Sequence, residues 1–93
     1  MPGPSTHRFV LQQLVYRKGK PFHSTLDQVK WSSESFRITG ISVFDLQQDG
    51  ANAEVDIMSG GVGESELQID FKSVRGGNIA YAVNVMAVQI QSD

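Results

Sequence analysis

Apolar and polar side chains alternate with a period of two along most of the chain. In Glu66-Leu67-Gln68-Ile69-Asp70-Phe71-Lys72, Leu67, Ile69 and Phe71 share one face and the charged or polar residues take the other. Glu54-Val55-Asp56-Ile57 repeats the pattern. Such alternation predicts half-buried antiparallel strands, one face on a core and one in water. Segment 79–90, IAYAVNVMAVQI, is apolar on nearly both faces, with only Asn84 and Gln89 polar. Its β-branched and aromatic content predicts a central strand buried on both sides. Segment 36–46 begins with Phe36 and Ile38 on one face; after Gly40 the aliphatic face shifts to Ile41 and Val43. A phase shift at a glycine predicts a β-bulge or bend. Segments 8–17 and 24–31 complete the set, the latter alternating Leu26, Val29 and Trp31 less cleanly.

Turn signals separate these segments: Lys18-Gly19-Lys20-Pro21, Ser32-Ser33-Glu34, Asp49-Gly50, Ser59-Gly60-Gly61-Val62-Gly63 and Gly76-Gly77-Asn78. Asp-Gly and Gly-Gly favour the positive φ angles of hairpin turns. No stretch shows a helical period. The expected fold is all-β, a single small antiparallel β-sandwich or flattened barrel of about six to eight short strands.

Ninety-three residues, 40% hydrophobic and 19% charged, fit one globular domain. Residues 1–6, with Pro2 and Pro4, are expected to be a disordered start or remnant outside the fold, and residues 7–91 the all-β domain. The absence of cysteine excludes a disulfide framework, a cysteine nucleophile and cysteine-ligated zinc. No apolar run approaches the roughly 18 residues that span a bilayer as a helix. No secretory hydrophobic segment follows Met1, so the chain either stays inside the cell or is a mature form.

Charge is distributed unevenly. Residues 1–37 hold six basic groups against Asp27 and Glu34, whereas residues 38–70 hold seven acids and no Lys or Arg. Such polarity steers charged partners or favours head-to-tail self-association, unless strands of opposite sign neutralise one another across a sheet face.

Four constellations carry candidate chemistry. The glycine cluster 60–63 resembles a phosphate cradle, but such loops need a following helix, and here a strand pattern with Glu64 and Glu66 follows. A turn is the expected role. Asp45, Asp49, Gly50 and Asp56 fall at positions of a calcium loop; Gln47 and Ala53 replace ligands, and no helices flank it. A hairpin is favoured there over a weak calcium site. His7 and His23 lie in no triad or metal-binding motif and are expected on the surface. Tyr16-Arg17-Lys18-Gly19-Lys20-Pro21-Phe22-His23 is a basic loop flanked by aromatics. Its few charges on a net acidic domain favour a solvated hairpin loop, ahead of a contact for an acidic protein partner and, last, a nucleic-acid site.

Residues 38–90 also carry an ordered motif: Ile38-Thr39-Gly40-Ile41, Phe44-Asp45, Asp49-Gly50, Ser59-Gly60-Gly61-Val62-Gly63, and Leu67 to Ser73 followed by Arg75-Gly76. This series resembles the insect family named for multiprotein bridging factor 2, in which S-G-G-x-G precedes an alternating strand ending F-K-S-x-R-G. Val74 and the closing Val85-Met86-Ala87-Val88 depart from that pattern, and the N-terminal third resembles it only loosely. The resemblance implies an arthropod origin and a protein without catalytic residues or cofactor. It implies either a transcriptional coactivator that bridges a DNA-bound factor to general transcription proteins, or a secreted gut, salivary or pathogen-response protein.

The expected function is therefore that of a non-enzymatic, secreted protein-interaction domain that binds a protein partner or forms a homo-oligomer. Direct nucleic-acid binding, membrane association, catalytic residues, metal and cofactor are not expected. Arg17, Lys18 and Lys20 are the candidate contacts on one side, and Glu54, Asp56, Glu64, Glu66 and Asp70 on the other. The intracellular coactivator is the alternative. A carrier of a small apolar ligand, held between sheets near Trp31, Phe44, Phe71 and Tyr81, is the third.

Overall fold

The structure, a computed structural model, describes residues 7–47 and 53–90. The expected start at residues 1–6 and the middle of the loop inspected for calcium, 48–52, which includes Asp49 and Gly50, lie outside the described residues, as do 91–93. Every described element is a strand: β1 (His7–Arg17), β2 (Leu26–Ser32), β3 (Phe36–Asp45), β4 (Glu54–Gly60), β5 (Glu66–Lys72) and β6 (Ile79–Gln89). They form two three-stranded antiparallel sheets, ordered β1-β6-β3 and β2-β5-β4. The fold is the all-β architecture expected, with six strands.

The alternating residues build the core. Leu67, Ile69 and Phe71 of β5 are buried against Ile79, Tyr81, Val83, Val85 and Ala87 of β6, with Val15, Val29 and Ile38 contributed by the flanking strands. Phe71 and Tyr81 hold their ring centroids 5.3 Å apart, tilted by 39°. Apolar faces of two sheets meet in this way because each strand offers one side to its partner sheet and one to solvent.

The phase shift in segment 36–46 is a bulge. Ile38 pairs with Ala87 and Gly40 with Met86, so Thr39 is the extra residue, and Ile41 and Val43 return to the core side. Two further irregularities, at Val10 in β1 and Met58 in β4, leave no glycine signature in the sequence.

The glycine cluster is a turn that also joins the sheets. Gly60, Gly61 and Gly63 have φ of 74°, 120° and 92°, a region that side-chain-bearing residues resist. From this turn Gly63 N–H donates to the carbonyl of Ile38 (2.8 Å), while Ile38 N–H donates to that of Glu64 (2.8 Å). The turn thus satisfies the outer edge of β3 beside its bulge, where unpaired backbone groups would otherwise template aggregation.

One expectation is corrected. β6 is central, but its second face is not buried: Ala80, Ala82, Asn84, Met86 and Val88 are half-exposed on the outer surface of the β1-β6-β3 sheet. Neighbouring strands shade them from both sides, and among the described residues nothing packs over them. Around them stand Phe9, Leu14, Tyr16 and Phe44, each 56–66% exposed.

Candidate functional site

Strand ends and loops gather the basic residues. β1 ends at Arg17 and β5 at Lys72, so the loops 18–25 and 73–78 meet at one end of the sandwich. They are fastened by Ser73, whose Oγ accepts Thr25 N–H (2.7 Å) and whose N–H donates to the Thr25 carbonyl (2.8 Å). Asn78 Oδ1 accepts Gly19 N–H (2.6 Å), the Asn78 carbonyl accepts from Gln47 Nε2 (2.9 Å), and Gly76 N–H donates to the His23 carbonyl (2.9 Å). This scaffold brings Arg75 to the same end as Lys18 and Lys20. Arg17 is drawn back from the loop, its Nε donating to Asp27 Oδ2 at 3.1 Å.

At the tip of the basic loop sits Phe22. The backbone closes a tight turn, His23 N–H donating to the Lys20 carbonyl (3.2 Å), and Phe22 adopts a φ of 68° with 82% of its surface exposed. A bulky residue in the left-handed region is strained, and such strain persists where surrounding structure enforces it and concentrates at functional sites. Neither its exposure nor its backbone angle could be read from the sequence; Pro21 beside it was the only local hint.

The acidic residues divide. Glu54, Asp56, Glu66 and Asp70 all project from the outer face of β2-β5-β4, opposite the core-facing residues of the same strands. Glu64 does not join them, because it lies in the glycine turn between β4 and β5. Glu54 stands across from Lys72, an opposite-charge pair, but Asp56 stands across from Asp70. The expected neutralisation of neighbouring strands therefore holds in one row and fails in the next. Gln68 Nε2 donates to Asp70 Oδ1 at 3.0 Å. A shallow groove of about 240 Å³ runs past Leu26, Gln28, Asp56, Asp70 and Lys72.

The residues considered for other chemistry are dispersed. His7 and His23 are both exposed and occupy opposite ends of the sandwich; the ring Nδ1 of His7 lies 2.9 Å from Thr39 Oγ1. Among the described residues no three His, Cys, Asp or Glu side chains are arranged to hold a metal. Of the four aromatics considered for an apolar ligand, Phe71 and Tyr81 pack on each other and Trp31 is half-buried, but Phe44 points away from the space between the sheets.

The motif that spans the second half of the chain is accounted for by these positions. Ser73 fastens two loops, Gly76 turns at φ 76°, and the S-G-G-x-G glycines clasp β3. The family model described as transcription activator MBF2 matches residues 5–87. The chain belongs to the transcription activator MBF2 family. No curated protein and no solved structure matches it. The MBF2 residues legible in the sequence are thus the ones that set turns and edges. Phe22, Lys18 and Lys20 lie outside that motif, whereas Asp70 and Arg75 lie within it.

Proposed function

We propose that the protein is a non-enzymatic transcriptional coactivator that works by binding other proteins, with the basic loop 18–25 as one docking surface. Phe22 carries the proposal: an aromatic ring 82% exposed, held at a left-handed φ, at the same end of the sandwich as Lys18, Lys20 and Arg75. A few aromatic and arginine side chains commonly dominate binding energy at protein interfaces. The partner that fits is an acidic protein surface with an apolar slot. The outer face of β2-β5-β4, bearing Asp56 and Asp70, offers a second surface of opposite sign, as a bridge between two proteins requires.

Its family description supports this coactivator over the secreted interaction protein, and nuclear over extracellular localisation. A promoter-tethered fusion of the chain driving a reporter gene tests it. Phe22→Ala combined with Lys20→Glu is expected to reduce activation about tenfold while the fold, monitored by circular dichroism, is kept. Full activation by the double variant would sink the assignment of the loop.

A further inference from the structure

The outer face of β1-β6-β3 carries exposed apolar side chains not used by that function, and its relief is ordered in rows across the three strands. The middle row, Gln12-Asn84-Ser42, is polar. On one side of it the small Ala82 lies between Leu14 and Phe44. On the other side Met86 rises between Phe9 and Gly40.

We propose that this face docks a second copy of the chain, face to face, about a two-fold axis running across the strands at the level of Asn84. That operation lays the Ala82 row of one copy over the Met86 row of the other. Met86 then enters the trough at Ala82, and Phe44 covers Gly40, where the backbone carries no side chain. Leu14 meets Phe9. The alternative two-fold, along β6, sets Met86 on Met86 and Ala82 on Ala82, a bump and a hole. The polar row meets itself on the axis, where each Asn84 amide can donate to and accept from its twin and so fix the register.

Charge points to the same occupant. The face carries no Asp or Glu, and its one arginine, Arg37, pairs with Val88 at one end, across from His7. A two-fold axis across the strands sends the two copies of Arg37 to opposite ends of the dimer. With strands about 4.8 Å apart and about 3.4 Å per residue, the footprint is roughly 14 by 30 Å in projection. That projection, roughly 400 Å², is below the roughly 800 Å² per partner of a standard interface, so the dimer is expected to be weak and concentration-dependent. Apolar patches of a few hundred Å² on a small domain are often functional. Dimerisation would turn the two β2-β5-β4 faces outward on opposite sides, leaving the Phe22 loops free. It goes beyond the coactivator function and does not depend on it.

Sedimentation equilibrium of the full chain tests the proposal by mass. A dimer that grows with protein concentration and is not weakened by salt is expected, since an apolar interface is little screened. Leu14→Glu, at a position 66% exposed in the single chain, should weaken it by about tenfold or more without altering the circular dichroism. Sheets packed face to face stand about 10 Å apart, too far for a direct disulfide. Asn84→Cys in this cysteine-free chain should therefore be joined to its twin by a short bis-maleimide, while Gln28→Cys on the other sheet should not. A monomer at every concentration overturns the proposal, including one that floats with phosphatidylcholine vesicles instead. So does a dimer that tolerates Leu14→Glu or is captured through Gln28→Cys.

Discussion

Gly60 and Gly63 share the turn between β4 and β5 and both stand at positive φ, yet different constraints hold them. A Cβ on Gly63 would meet open space, so only the backbone angle opposes a side chain. A Cβ on Gly60 would overlap the carbonyl of Glu66, which the ladder to β5 fixes in place. Gly63→Ala is expected to cost about 1 kcal/mol, the usual penalty of a left-handed L-residue, and Gly60→Ala about 3 kcal/mol or more. Urea unfolding of the two variants checks this; equal losses would show that the Glu66 carbonyl can move aside. The sequence identifies this stretch as a turn because three glycines stand between two alternating runs. It could not show that Gly63 and Glu64 close the edge of β3, since that contact joins residues about 25 positions apart through backbone groups that every residue type carries. Phe22 was hidden for a similar reason: its strain comes from the turn around it and leaves no mark in its own identity.

At the scale of the strands, period two is a strong signal where one face is buried, and the observed elements begin and end within two residues of the segments read from it, except that β4 runs three residues further, to Gly60. What period cannot supply is which inward positions the opposite sheet reaches. Ile57 of β4 and Ile69 of β5 face each other across the ladder and alternate equally well, but Ile69 is fully buried and Ile57 is 53% exposed. The reason is topological: β5 lies in the middle of its sheet over the core, while β4 is an edge strand that overhangs it. Truncation should separate the two. Ile69→Ala is expected to lose about 3–4 kcal/mol of stability, as a fully buried aliphatic does, and Ile57→Ala less than about 1.5 kcal/mol. Comparable losses in chemical denaturation would mean that β4 is covered more fully than its exposure indicates. The same limit explains the misjudged second face of β6. Its apolar residues stated that the face avoids charge, but the covering element has to come from elsewhere, and the chain supplies none among its described residues.

At the scale of the molecule, the basic and acidic thirds of the sequence do not cancel. Folding gathers Lys18, Lys20 and Arg75 at one end and places Glu54, Asp56, Glu66 and Asp70 on the outer face of β2-β5-β4, where the registers decide which charges meet. Lys72 faces Glu54, but Asp56 faces Asp70, and Gln28 on the far side of Asp70 brings no positive charge. Like charges directly across a ladder destabilise a sheet by roughly 0.2–1 kcal/mol, an effect that salt screens. Such a pair on an exposed face is a repulsion that folding does not need, and under the proposed function it serves to attract a cationic partner. Stability and binding should then move in opposite directions on one substitution. Asp56→Lys is expected to raise the unfolding free energy by about 0.5–1 kcal/mol at low ionic strength, with the gain shrinking as salt is added. In the promoter-tethered assay the same variant should activate less, because the paired negative charge of Asp56 and Asp70 that attracts a basic partner is cancelled. A variant that is both more stable and fully active would separate the acidic face from the function, and leave the Phe22 loop as the surface through which this chain meets its partner.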